Sequence, residues 1–371
     1  MLKATVNRAA LKDAVAIAKR HVPRHAILPA LAGIQVEGYG DHLELTATDL
    51  DTFVRVTVPA NVPDAGAVLL DARQLAAAVM SGTDMVTIAE DAERVTVDSG
   101  GTAALRPMLV EDFPPPMPPA GGDPVYWTSA DVGRLARAAH AAGTDDGRPV
   151  LTAVFFDQGY AVATDSYRLA WTGLEVGPLA GALVPGHTVR EVARWKTAAR
   201  HVSAFGTPGA VTFAGQHTAG TKRAPRVTDI VLTVRTIEGQ YPNWRALVPG
   251  ACEAVYSFDT AELADAASAA KRFASKRPNV PVLLEDVDGA PYILKVSDQE
   301  AGDWSATVSA RRETGDPVSI AFNPTYLADA VTAAAGDAER VTVAMRDGLK
   351  PAVFGEPDGD VRVLLMPMRV F

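Results

Sequence analysis

The sequence predicts an α+β chain of three similar domains, each made of two helices backed by antiparallel sheets, and three observations carry that reading. An apolar triplet at i, i+3, i+4, the stripe of a short amphipathic helix, recurs six times. Short β-type runs broken by turn residues fill the intervals. Proline and glycine cluster at two places that divide the chain into thirds.

The triplets are Leu11/Ala14/Val15, Leu75/Ala78/Val79, Val132/Leu135/Ala136, Val189/Val192/Ala193, Leu263/Ala266/Ala267 and Leu327/Ala330/Val331. Their first members are 64, 57, 57, 74 and 64 residues apart, so one helix recurs in each of six comparable segments. Residues 43–48, 53–58, 85–89, 95–98, 150–156, 211–214, 230–237 and 361–366 predict strands. Asp358-Gly359 predicts a tight hairpin turn between the runs near Val353 and Val361. Two helix-and-strand segments per domain let a sheet cover a pair of helices. The seams are Phe113-Pro114-Pro115-Pro116-Met117-Pro118-Pro119 with Gly121-Gly122, and Leu247-Val248-Pro249-Gly250, giving domains 1–122, 123–250 and 251–371. One heptapeptide occurs verbatim at 91–97 and 337–343, but it starts 16 residues after Leu75 and 10 after Leu327. That identity is read as coincidence.

Composition narrows the class. Apolar residues are 48% and charged residues 21% of 371, which suits large cores and argues against extensive disorder. Cys252 is the single cysteine, which excludes an intramolecular disulfide and a cysteine-rich metal cage. The first twenty residues carry charges every few positions, and no run approaches the ~20 apolar residues of a membrane span. A cytoplasmic protein is expected. The net charge of −9 hides a segregation: residues 8–20, 132–140, 189–200 and 261–277 together carry +10, leaving −19 on the rest.

Enzyme motifs are weak. Residues 215–222 imitate a phosphate-binding loop, but Lys222 follows Thr221 in the wrong order, and a mobile polar loop is expected. His21 and His25 have metal-ligand spacing, yet Pro23 breaks the helix that would set the geometry, so surface histidines are expected. Asp49 and Asp51 read as solvent-facing residues of a strand edge. No nucleophile elbow is present, and no catalytic residue, cofactor or metal is expected.

Four ordered segments carry a resemblance. They are Arg148-Pro149-Val150-Leu151-Thr152, Ala163-Thr164-Asp165-Ser166-Tyr167-Arg168-Leu169-Ala170, Glu238-Gly239-Gln240-Tyr241-Pro242-Asn243-Trp244-Arg245 and Leu365-Met366-Pro367-Met368-Arg369-Val370. In the first third, Ala47-Thr48-Asp49 echoes Ala163-Thr164-Asp165, and Asp112-Phe113-Pro114 adds support. With these motifs the chain resembles the bacterial sliding clamps, the beta subunits of DNA polymerase III. The resemblance implies a non-catalytic processivity factor in the DNA clamp fold. Two chains would form a ring around duplex DNA, with helices lining the hole and sheets outside. The basic helices would then face phosphates without reading sequence.

On that resemblance the DNA-facing residues are Arg8, Lys12, Lys19, Arg24, Arg134, Arg137, Arg148, Arg190, Arg194, Lys196, Arg200, Lys271 and Arg272. Leu105 is implied as an apolar residue of the dimer interface. Partner peptides, from the polymerase III alpha subunit, the clamp loader and other proteins with the clamp-binding motif, would enter a groove. Its lining would be Leu151, Thr164, Ser166, Tyr167, Arg168, Leu169, Pro242, Leu247, Asn323, Tyr326, Leu349, Pro351, Leu364, Met366, Pro367, Met368 and Arg369. Leu and Met would form its floor, and Arg and Tyr a hydrogen-bonding rim. Departures from the family pattern fall at Ala246, at Ser166, at the Arg24 to Pro29 spacing and at Lys271-Arg272, where the family can place apolar interface residues. The competing readings are a specialised paralogous clamp, a non-ring adaptor that keeps the groove, and an enzyme on repeated α+β domains.

Overall fold

The computed structural model describes residues 1–195, 201–221, 224–250, 252–274, 280–287, 292–298, 302–355 and 359–369, without the side chains of 224 and 225. Among them are six α-helices: α1 (Arg8–Lys19), α2 (Ala72–Ala78), α3 (Ser129–Ala138), α4 (Gly186–Val192), α5 (Thr260–Phe273) and α6 (Pro324–Ala335). Each carries one of the predicted triplets, with Val79 and Ala193 just past the ends of α2 and α4. The first member of every triplet is buried, as the amphipathic reading requires.

Four helices share one local device. A strand runs into a capping side chain, whose oxygen accepts N–H groups that the first helical turn leaves unpaired. Asn7 accepts from Ala10, Asp71 from Arg73 and Gln74, Asp259 from Glu262, and Asn323 from Thr325 and Tyr326. Each cap stands four residues before the first apolar member of its triplet. Two strands are likewise preceded by a proline-led 3-10 turn, Pro29–Ala32 before Gly33–Tyr39 and Pro149–Thr152 before Ala153–Asp157. The expected strand at 150–156 therefore starts only at Ala153, because Pro149 fixes φ and lends itself to the start of the turn.

The chain gathers into two compact units. The first comprises Met1–Ser129, Gly177–Leu179 and Glu191–Thr236. It holds a 12-stranded sheet. From the edge strand Thr102–Leu105 the order runs through Val95–Asp98, Met85–Glu90, Lys3–Asn7, Thr52–Asp64, Ala224–Arg235, Ala210–Thr221 and Val202–Thr207 to Val125–Trp127. Gly33–Tyr39, His42–Thr48 and Ala67–Asp71 branch from this path. α1 packs against Thr52–Asp64 and α2.

The second unit comprises Ala130–Val176, Ala180–Arg190 and Ile237–Phe371. Its 9-stranded sheet runs Leu183–Pro185, Ala153–Asp157, Tyr160–Thr164, Arg168–Gly173, Arg362–Leu365, Ala352–Phe354, Arg340–Met345, Ala254–Asp259, Ala310–Thr314. A 4-stranded sheet orders Gly302–Val308, Tyr292–Asp298, Val282–Glu285 and Ile320–Phe322. α5 and α6 pack together, burying Leu263, Ala266, Ala267, Leu327, Ala330 and Val331. Every ladder is antiparallel, and two of them join strands from either side of the proline- and glycine-rich segments.

The echo between Ala47-Thr48-Asp49 and Ala163-Thr164-Asp165 is a repeated turn. Asp49 Oδ1 accepts the N–H groups of Asp51 and Thr52 at 3.2 and 2.7 Å. Asp165 Oδ1 accepts those of Tyr167 and Arg168 at 2.9 and 3.0 Å. In both, the threonine hydroxyl accepts from the residue two further on, and that residue, Leu50 or Ser166, has φ 82°. Asp49 is thus a turn-closing acceptor, which corrects its reading as a solvent-facing edge residue.

Two further expectations change. Residues 215–221 are not a loop: they continue the strand Ala210–Thr221, paired rung by rung with Ala224–Arg235; Lys222 lies outside the described residues. His21 is buried just beyond the C-cap Arg20, where its N–H reaches the Ala18 carbonyl at 3.0 Å and keeps it against the helix end, whereas His25 is exposed. The strands at Val353 and Val361 do form a hairpin, while Asp358 of its turn lies outside the described residues. The repeated heptapeptide plays different parts, closing a hairpin through Asp91 in one copy and joining α6 to Arg340–Met345 in the other.

Replacing Asp49 by Ala leaves two backbone donors without their acceptor, a loss of about 1–2 kcal/mol by analogy with helix caps. Asp51→Ala removes only an exposed carboxylate 3.9 Å from Arg235 and should be neutral within about 0.5 kcal/mol. Urea unfolding followed by circular dichroism compares the two; equal midpoints would refute the turn assignment.

Candidate functional site

Every residue of the expected groove lies in the second unit. Its framework is the pairing of Arg168–Gly173 with Arg362–Leu365, in which Arg168 faces Leu365 and Leu169 faces Leu364. The ladder ends at Leu365, and one more bond, from the Met366 N–H to the Tyr167 carbonyl at 3.0 Å, ties the tail to the turn. The Met368 N–H then reaches the Ala321 carbonyl at 2.7 Å. Residues 366–369 therefore cross from the Thr164–Arg168 turn to the strand before α6, carrying no strand of their own. Proline cannot donate to a ladder, so Pro367 is where extension must stop.

Beneath the turn sits an apolar cluster of Ala153, Val162, Leu169, Trp171, Leu183, Tyr241, Trp244, Val353 and Leu364. Leu169 and Leu364 are thus core residues, fully buried or nearly so. Above it, large apolar side chains stay in solvent: Tyr167 is 58% exposed, Met366 43%, Leu349 74% and Leu247 52%. Leu349 lines an open pocket with Leu283, Ile320, Ala321, Met368 and Arg369. Leu151 is half-buried, Pro242 is exposed at the turn before Trp244–Leu247, and Pro351 is half-buried before Ala352–Phe354.

The polar members are engaged internally. Thr164 donates to the Arg168 carbonyl at 2.6 Å and accepts from Ser166. Asn323 caps α6. The Arg168 guanidinium is 11% exposed, bonded to Asp165 at 3.0 Å and Asp329 at 2.8 Å, and lies 4.6 Å from the centre of the Tyr326 ring. Tyr326 stacks on Tyr167 with centroids 6.2 Å apart. Burial, reinforced by the Asp165 carboxylate, raises the Tyr326 phenol above its ordinary pKa. Burial likewise lowers His140, which is neutral at neutral pH and adds no charge to this group. Arg168 is therefore braced from two sides: one carboxylate takes its Nε–H and another an Nη1–H, and these hold the guanidinium in place.

The basic residues divide similarly. Arg134 bonds Asp131 and, at 3.4 Å, Asp360; Arg137 bonds Asp360 at 3.4 Å and the Ala333 carbonyl. Arg148 holds Asp145, Arg194 holds Glu191, and Lys271 lies 3.4 Å from Asp329. Arg8 donates to the carbonyls of Thr83 and Met80, and Arg190 to that of Ala139. Among the described residues Lys12, Lys19, Arg24 and Arg272 make no ion pair with the chain. Lys19 and Arg24 line a cleft with Asp71 and Arg73. Arg73 was not legible as a candidate, since it stands alone outside the basic segments. Lys196 and Arg200 lie outside the described residues. Leu105 occupies the last rung of its ladder, opposite Val95, and is largely buried within the chain itself.

Comparison with known proteins follows the same lines. The family model described as DNA polymerase III beta subunit, N-terminal domain, matches residues 2–117, and that of the C-terminal domain matches residues 245–369. A curated beta sliding clamp of Streptomyces coelicolor is 32% identical, with all of both chains covered. A curated beta sliding clamp homolog of Streptomyces muensis is 28% identical, with 98% of each covered. The solved beta subunit from the DNA polymerase of Streptococcus pyogenes superposes with a TM-score of 0.87 at 22% identity, covering 99% of this chain and 100% of that one.

Since Asn323 caps α6, Asn323→Ala should destabilise the chain by about 1 kcal/mol, whereas Asn323→Asp, which keeps the acceptor, should not. Thermal unfolding of the two variants measures the difference.

Proposed function

This chain belongs to the bacterial DNA polymerase III beta subunit family, the beta sliding clamps, and on that premise we propose how it works. It is a non-catalytic DNA sliding clamp of replication, with DNA and a polymerase as partners. In our reading two chains close head to tail around duplex DNA, the first domain of each meeting the third of the other through two identical contacts. Domains 1–122, 123–250 and 251–371 repeat one plan; the six triplet-bearing helices and the family matches at 2–117 and 245–369 support that division. The edge strand Thr102–Leu105 carries neither charge nor proline, the kind of edge that invites a further strand. The ring works in the cytoplasm, and no helix among the described residues is long and apolar enough to cross a membrane.

DNA is held by topology and by loose contacts that read no sequence. Of the expected DNA-facing residues, Lys12, Lys19, Arg24 and Arg272, whose side chains make neither an ion pair nor a carbonyl contact among the described residues, are the readiest to meet phosphates, with Arg73 beside Lys19 and Arg24. Polymerase III alpha subunit, clamp loader and other motif-bearing proteins insert a short apolar peptide into the groove. The observation that carries this is the tail at residues 366–369, pinned by its backbone at Tyr167 and Ala321 while Met366, Tyr167 and Leu349 remain exposed. The fully covered match to a beta sliding clamp at 32% identity favours the main clamp over a specialised paralogue.

The mass in solution at micromolar concentration should be about twice 39.0 kDa, and clamps loaded on circles should outlast those on linear DNA. Lys19→Ala with Arg24→Ala should reduce the salt slope of DNA binding by about 2. A lone monomer, or equal retention on both DNA forms, would count against the ring. For the groove, deletion of residues 366–371 should abolish binding of a labelled clamp-binding peptide, and Met366→Ala should weaken it ~30-fold. Fluorescence anisotropy, with circular dichroism as the folding control, reads both; unchanged affinity in a folded deletion variant sinks the groove.

A further inference from the structure

A carboxylate absent from the expected lining stands behind the groove. Asp329 lies on α6, three residues beyond Tyr326 and so on the same helical face. Its Oδ2 accepts from Arg168 Nη1 at 2.8 Å, and its Oδ1 faces Lys271 Nζ of α5 at 3.4 Å. Asp165 accepts from Arg168 Nε at 3.0 Å on the other flank. The guanidinium is thereby held between two carboxylates, with its carbon 4.6 Å from the Tyr326 ring centre. Tyr326 in turn stacks on the exposed Tyr167, whose carbonyl receives the Met366 N–H.

These contacts form one chain of support from α5 to the open face. Arg168 has a long, rotamer-rich side chain. Left free it would sweep the space that a peptide must occupy, and ordering it on binding would cost affinity. Asp165 alone does not fix it, because a single-atom contact at Nε leaves the rest of the guanidinium free to turn about that bond. The second carboxylate removes this freedom. Lys271 fixes the carboxylate itself, since each of its oxygens faces a different cation.

We infer that Asp329 is a positioning residue of the groove: it holds Arg168 over Tyr326, out of the peptide's path, so that the Tyr167–Tyr326 pair and the Met366 tail are presented in binding-ready form. This rests on the groove reading given above. Asp329 touches no peptide and acts only through Arg168. A purely structural carboxylate would lower the unfolding temperature without changing peptide affinity.

The test uses the full chain and a fluorescein-labelled synthetic peptide bearing two leucines and a phenylalanine, read by anisotropy. Asp329→Asn, nearly isosteric, should weaken binding about tenfold. In an Arg168→Ala background the same change should cost nothing further, because the group it positions is gone. Asp360→Asn makes the same charge change in the same unit at the carboxylate held by Arg134 and Arg137, and should bind within about twofold of wild type. Wild-type affinity in folded Asp329→Asn overturns the inference while leaving the groove standing. So does an equal loss in Asp360→Asn, which would mean that charge alone is responsible, or an undiminished loss in the Arg168→Ala background. A wild-type chain that does not bind the peptide overturns the groove and this inference with it.

Discussion

The antiparallel pairing of Arg168–Gly173 with Arg362–Leu365 is the contact on which the candidate site rests. It brings together segments about 190 residues apart in sequence, and the apolar burial on both of its faces offsets the entropy of closing that loop. Side chains alternate along a strand, and this register sends Leu169, Trp171 and Leu364 into that cluster. A slip of one residue would turn them to the opposite face, where Ala170, Thr172, Val363 and Leu365 are already buried. The same register decides where the ladder stops. With Leu365 opposite Arg168, the next N–H belongs to Met366, and the one after that does not exist because residue 367 is proline. The exposed tail is therefore the consequence of a buried ladder.

Charge follows a second rule. The sequence shows where cations concentrate, but availability is decided by neighbours that sequence spacing reveals only in part. Asp131 and Arg134, or Glu191 and Arg194, stand three residues apart, a separation that brings side chains together on a helix; these pairs do close. Asp360 and Asp329 reach their cations from distant parts of the chain. A cation already paired offers less to a phosphate, since its partner must first be displaced. Segregated positive charge is thus a statement about location, and a smaller group of cations carries the field outward.

Much of the helical framework was legible. All six triplets mark helices, two of them running one residue past the helix end, because an amphipathic stripe is a local property, fixed by burial on one face. A stronger signal stood beside it: Asn7, Asp71, Asp259 and Asn323 each precede a triplet by four residues and each caps a helix. Thr128 and Pro185 occupy that offset before the other two. What was not legible is non-local. Residues 215–221 lack the apolar run of a core strand, yet they are held in one by a partner strand that supplies every rung. His21 is buried by tertiary packing that no spacing encodes. Of the expected groove, the residues with motif identity do lie in one unit, but Thr164, Asn323 and Arg168 answer to the backbone and to carboxylates before any ligand. Asp329 escaped because its neighbours along the chain are ordinary helix residues.

That internal engagement explains what kind of surface remains. Buried polar groups must be satisfied within the fold: here Asp165 serves both the turn and the guanidinium, and Asn323 serves the first turn of α6. The groups left facing solvent are Tyr167, Met366, Leu349 and Leu247, with the polar Ser166 and Arg369 beside them. The larger part of this surface is apolar, and Ser166 and Arg369 supply its directional chemistry. It accepts apolar side chains by shape, and the unbranched, polarizable methionines can adjust to several of them. Rigidity comes from the polar struts behind, and tolerance from the apolar residues in front. On the groove reading proposed above, a surface that receives different peptides in turn needs both properties, and they fall on different residues.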